Sequence, residues 1–135
     1  MNSITDIDIN GSVGDIDKKT IMAVDSVSQM LCTLESIVVG GGYSFVSARS
    51  GESAIELIES TKPDLLILRT DMPDMDAYDL AERLNKHGYK VPMFFLSDKV
   101  TAEGVVKAYL AGAKDYILKP VDRKTTLSKI AKQFA

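Results

Sequence analysis

The stretch Pro63-Asp64-Leu65-Leu66-Ile67-Leu68-Arg69-Thr70-Asp71-Met72-Pro73-Asp74-Met75-Asp76 sets the reading of the whole chain. Leu65 to Leu68 are apolar without a break, the pattern of a strand covered on both faces. A polar run follows, in which Asp74 and Asp76 suit a turn and the cap of a helix. Leu80, Ala81 and Leu84 give that helix its inner face, and His87-Gly88 closes it.

Similar units flank this one on both sides. Upstream, Ile21-Met22-Ala23-Val24 reads as a buried strand. Val27, Met30, Leu31, Leu34, Ile37 and Val38 follow at helical spacing, with Ser26 as a cap. Gly40-Gly41-Gly42 ends that helix, and Tyr43 to Ala48 forms the second strand. Ser50 caps a helix whose inside is Ala54, Leu57 and Ile58. Downstream, Val91 to Leu96 is a fourth strand, and Val105, Ala108 and Tyr109 line a fourth helix that stops at Gly112. Tyr116 to Leu118 is the fifth strand, and Leu127, Ile130, Ala131 and Phe134 line the last helix.

Strict alternation of strands and helices predicts a doubly wound parallel sheet with helices on both faces, because parallel neighbours need crossovers. Such sheets hold their sites in the crevice beyond the carboxyl ends of the strands. Those ends name the candidates: Asp25 and Ser26, Arg69 to Asp71, Ser97 and Asp98, and Lys119.

The 135 residues suffice for one domain that buries roughly two thirds of its unfolded surface. Hydrophobic residues at 45% and charged residues at 26% are ordinary for a soluble globular protein. The net charge of −3 argues against nucleic-acid binding. No apolar run approaches the ~20 residues of a membrane span, and the N-terminus is polar and acidic, unlike a secretory leader. Cys32 is alone, so no internal disulfide is possible and the cytoplasm is the expected setting. Residues 1–19, with Asp6, Asp8, Asp15 and Asp17, read as a flexible acidic arm before a domain spanning 20–135. Asp6 to Asp17 also fits the calcium-loop pattern, with Gly11 at position six and Asp17 at twelve. Few residues precede that loop and its last acid is not the bidentate Glu, so a solvated tail is expected.

Over residues 20–134 the chain resembles the receiver domain of bacterial response regulators. The likeness is carried by the quoted run with its Met72-Pro73 pair and by Ala48-x-x-Gly51 followed by Ala54. Ala111-Gly112-Ala113 leading to Tyr116-Ile117-Leu118-Lys119-Pro120 completes it. The resemblance implies a flavodoxin-like (βα)5 fold of strand order 2-1-3-4-5 and a non-enzymatic role in two-component, phosphorelay signalling. In that family the third strand ends in a phosphorylated aspartate, which holds Mg²⁺ together with two acids after the first strand. A hydroxyl after strand four and a lysine after strand five bind the phosphoryl oxygens. Asp25, Ser97 and Lys119 match this pattern. Ser26 stands in place of the second acid, and Arg69 in place of the acceptor.

The substitution decides the chemistry expected. Guanidinium has no acceptor lone pair and stays protonated, so Arg69 takes no phosphoryl group. It also sets a positive charge at the metal's place, where unit charges ~4 Å apart repel by about 4 kcal/mol at an effective dielectric of 20. Magnesium binding is therefore expected to be lost, leaving no cofactor. Asp98 is a further departure, since the family keeps a small residue after the hydroxyl. Arg69 is expected to pair with Asp25, Asp98 or both, its guanidinium standing in for the metal, and Lys119 to pair with Asp25.

Asp71 lies where the family lends a backbone carbonyl to the metal, and as a replacement acceptor it is weaker than as a surface acid. Tyr116 matches the aromatic that swings inward on activation, and Ser97 and Tyr116 are the switch-like positions. Lys119-Pro120 matches the family's Lys-Pro pair, where a cis peptide is usual. His87 reads as a solvated residue at a helix end.

Three functions compete. The first is a pseudo-receiver that binds signalling proteins, a histidine kinase or downstream effector, without phosphorylation. It would dimerise or dock through the fourth helix, fifth strand and fifth helix, a face of mixed charge from Lys107, Lys114, Asp115, Asp122, Arg123 and Lys129. The second is a sensor of an anionic ligand or nucleotide held by Ser26, Arg69, Ser97 and Lys119. The third is a working phosphoacceptor using Asp71. The sequence holds no output domain, as expected of a stand-alone receiver or the receiver part of a longer regulator.

Overall fold

The structure is a computed structural model that describes residues 18–135. The calcium-loop pattern and, apart from Lys18 and Lys19, the expected arm lie outside the described residues. In chain order the elements are β1 (Thr20–Val24), α1 (Ser28–Gly40), β2 (Ser44–Ala48), α2 (Gly51–Thr61) and β3 (Leu65–Arg69). They continue with α3 (Ala77–Lys86), β4 (Met93–Ser97), α4 (Ala102–Leu110), β5 (Ala113–Leu118) and α5 (Arg123–Phe134). All strand pairs are parallel, in the order β2-β1-β3-β4-β5. The expected fold and strand order are the observed ones.

Pleating divides each strand between two cores. Met22, Val24, Leu66, Leu68 and Phe95 face α2 and α3, meeting Ala54, Ile58, Leu80 and Leu84. Ile21, Ala23, Leu65, Ile67, Phe94 and Leu96 face the other way, onto Leu31, Leu34 and Val38 of α1 and Ile130 of α5. Leu65 to Leu68 are buried throughout, which explains why they show no polar alternation.

Several local expectations change. Ser26 does not cap α1: Val27 takes that position without a side-chain bond, and the Asp25 carboxylate accepts from the Val27 N–H at 2.9 Å instead. Val27 is exposed, so the inward face begins later. Ser50 caps α2 as expected. β5 starts at Ala113, three residues before the apolar run of its sequence: Ala113 pairs with Met93, and a bulge at Lys114 shifts the register before Asp115 meets Phe94. In α4 only Ala108 is buried, while Val105 and Tyr109 face outward. Ala131 of α5 is exposed as well. Gly42, Gly88 and Gly112 follow α1, α3 and α4 with positive φ, which lets the chain turn back toward the sheet.

Candidate functional site

The carboxyl ends of β1, β3, β4 and β5 bring Asp25, Arg69, Asp98 and Lys119 together. Asp25 is wholly buried, directly after β1. Its carboxylate accepts from Arg69 Nη1, 3.4 Å from each oxygen. Arg69 Nε donates to the Asp71 carbonyl at 3.0 Å. On the outer side, Arg69 Nη2 lies 3.9 Å from Asp98 Oδ2, and Lys119 Nζ lies 3.4 Å from Asp98 Oδ1. Arg69 thus pairs with both acids, as expected.

Lys119 departs from expectation: its ion pair is with Asp98, not Asp25. The reason is steric order, since the Arg69 guanidinium already faces the buried carboxylate and Asp98 approaches from solvent. Ser26 is half-buried, and its carbonyl accepts from Arg49. The Asp71 side chain is exposed, and only its carbonyl enters the site. Ser97 turns toward its own loop, where Oγ donates to the Lys99 carbonyl at 2.9 Å. The four central charges form alternating pairs, two positive and two negative.

Tyr116 is half-buried on β5, and its hydroxyl donates to the Gly104 carbonyl of α4 at 3.2 Å. It also meets the Tyr78 hydroxyl at 3.5 Å, while both rings pack edge-on against Phe95. Lys107 Nζ stands 4.8 Å over the Tyr78 ring. Burial, then the neighbouring Tyr116 hydroxyl, push the Tyr78 phenol well above its ordinary range. Sequence reasoning missed Tyr78, because a tyrosine in a first helical turn carries no signal of its partner on a distant strand.

Asp76 caps α3, accepting from Asp79 N–H at 2.8 Å. Asp74 lies in the bend before α3, as expected of a turn residue, and also serves a distant helix. It accepts from the N–H groups of Gly51 and Glu52 at 3.2 and 3.1 Å, clasping the start of α2. His87 caps the end of α3, its Nδ1 2.8 Å from the Arg83 carbonyl. The Lys119-Pro120 peptide is cis. Asp115 and Lys129 pair with each other within the chain at 3.0 Å.

A five-stranded, doubly wound parallel sheet of this strand order, with its charged cluster at the carboxyl edge, defines the flavodoxin-like class of α/β domain. Residues 21–131 match the response regulator receiver domain, and the chain belongs to that family. It is similar to the alkaline phosphatase synthesis transcriptional regulatory protein PhoP of Bacillus subtilis, 27% identical over 112 residues, 83% of this chain and 47% of that protein. The chain spans under half the length of such curated relatives. Among solved structures, a response regulator receiver domain protein of Methanospirillum hungatei has a TM-score of 0.79 at 27% identity, covering 86% of this chain and 93% of that one. Chemotaxis protein CheY4 of Vibrio cholerae has a TM-score of 0.80 at 20% identity, covering 85% and 98%, and shares the fold. Receiver domains work in two-component signalling, where histidine kinases and effectors are their partners. Among the described residues no helix is long and apolar enough to cross a membrane.

Proposed function

We propose that this domain is a pseudo-receiver, a signalling module that engages its partners without being phosphorylated. The observation that carries this reading is the place of the Arg69 guanidinium. It bonds to the Asp25 carboxylate and to the Asp71 carbonyl, two groups through which a receiver of this pattern would hold its metal. Arg69 itself offers no atom that accepts a phosphoryl group.

The residues present do not fit magnesium. A permanent cation already engages two of its oxygen ligands, and Ser26 brings no carboxylate. Among the described residues, no three His, Cys, Asp or Glu side chains converge on one point. Magnesium needs near-octahedral oxygen coordination, which this arrangement does not offer.

The partner surface is the α4–β5–α5 face, used by a second copy or by a downstream effector. Val105, Val106, Tyr109 and Leu110 stand exposed along α4, and Leu118 of β5 is exposed too. A cluster of this kind, ringed by charge, is the composition of a docking patch.

Incubation with acetyl phosphate and magnesium, followed by intact-mass measurement, tests the reading. The mass is expected to stay unchanged. A gain of one phosphate, on Asp71 or elsewhere, would overturn it.

A further inference from the structure

We infer that Asp98 is a built-in counter-anion: its carboxylate fills a seat made by Arg69 and Lys119 that is fitted to a phosphate-like oxyanion, and so ties down the segment entering α4. The inference rests on the pseudo-receiver reading, in which no phosphoryl group ever takes that seat covalently.

The two cations arrive from different strands. Arg69 ends β3 and Lys119 follows β5, and their side chains are mostly covered, at 20% and 17% exposure. Asp98 differs, for its side chain is 64% exposed and comes from the solvent side. It divides its two oxygens between the cations, Oδ1 to Lys119 at 3.4 Å and Oδ2 to Arg69 at 3.9 Å. Asp25 does not compete for Lys119, because its oxygens face Arg69 Nη1 and the Val27 N–H. Ser97 presents no hydroxyl to the cations, since Oγ is turned to Lys99.

Both Asp98 contacts are longer than a well-formed charged hydrogen bond, which closes to about 2.8 Å. A tetrahedral dianion carries more charge and more acceptor oxygens than one carboxylate. It can also reach a fork of guanidinium donors and an ammonium together. The seat thus has the chemistry of an oxyanion site, with an internal anion holding it shut.

The tether has a consequence for α4. Asp98 lies just before the Thr101 cap, and Tyr116 binds the Gly104 carbonyl one turn further on. Two ties from the β5 side therefore hold the start of the helix that bears Val105, Val106, Tyr109 and Leu110. Release of Asp98 removes one of them.

The test is a titration of Asp98→Asn and of the unaltered protein with inorganic phosphate at constant ionic strength, followed by amide NMR shifts around Arg69 and Lys119. Asp98→Asn is expected to bind phosphate roughly tenfold more tightly, the effect of removing two partly exposed ion pairs. The added Lys119→Gln change is expected to abolish that gain, and amides from Lys99 to Gly104 to exchange faster in Asp98→Asn. Asp98→Ala repeats the measurement should the amide form bonds of its own. Equal phosphate affinity with and without Asp98, or a gain that survives Lys119→Gln, overturns the inference. Phosphorylation by acetyl phosphate would instead sink the pseudo-receiver reading and leave this contrast to be read separately.

Discussion

Arg69 stands between the buried Asp25 and the exposed Asp98 and pairs with both. Its partner Asp25 is fully buried, so the pair cannot be broken without leaving a carboxylate in a low-dielectric place. Arg69 keeps some contact with water, which places the cost near the low end for buried pairs. Arg69→Ala is expected to destabilise the fold by about 3 kcal/mol, read from urea unfolding. A loss within error would mean that the guanidinium is not what balances Asp25. Thr126 gives the opposite case. Its hydroxyl is buried in α5 without a hydrogen-bond partner. Thr126→Val replaces an unpaired polar atom by a methyl group of similar shape and is expected to stabilise by about 1 kcal/mol, seen as a higher melting temperature.

At the scale of elements, the helix starts are set by acids placed at a distance as well as locally. Asp122 caps α5 through Thr125, Asp76 caps α3, and Asp74 reaches across to α2. Burial works against the charged form of Asp74, yet the backbone N–H groups of Glu52 and Gly51 outweigh it and hold the carboxyl below its usual range. The folded value therefore lies below the unfolded one. The clasp contributes fully above an ordinary carboxylate pKa of about 3.9 and is lost as pH falls through the lowered folded value. Asp74→Ala is expected to cost about 1 kcal/mol at neutral pH and to flatten the acid limb of the stability curve. An unchanged acid limb in chemical denaturation would assign that pH dependence to other carboxylates.

For the whole molecule, the contrast between a closed site and an open surface is what matters. The charges at the sheet edge satisfy one another, whereas α4 leaves Tyr109 and Leu110 at 78% and 83% exposure. Asp115 and Lys129, paired internally, are poor reporters of an interface on this face. Leu110→Glu is the sharper probe. It is expected to change stability by less than about 0.5 kcal/mol, being a surface substitution. The same change is expected to weaken self-association or effector binding at least roughly tenfold, as for an interface hot spot. Sedimentation velocity and a binding titration measure the two. Unaltered association would move the partner surface elsewhere.

The sequence by itself determined the alternation of elements, the parallel sheet and the residues at its carboxyl edge. Burial on both faces leaves runs such as Leu65–Leu68 with no polar interruption, and crossovers follow from parallel pairing. It also set an arginine where the resemblance leads one to expect an acceptor carboxylate, and the proposed pseudo-receiver role starts from that, because a guanidinium has no acceptor lone pair. Tertiary structure alone decided the pairings beyond those of Arg69. Lys119 turned to Asp98, Asp74 clasped a helix more than twenty residues upstream, and Tyr78 met Tyr116 across the fold. The outward face of α4 was misread for the same reason. Val105 and Tyr109 have helical spacing, yet which side of a short apolar helix meets the sheet is set by how the whole helix packs. Local pattern records what each residue prefers, and only the assembled sheet fixes which distant group it meets.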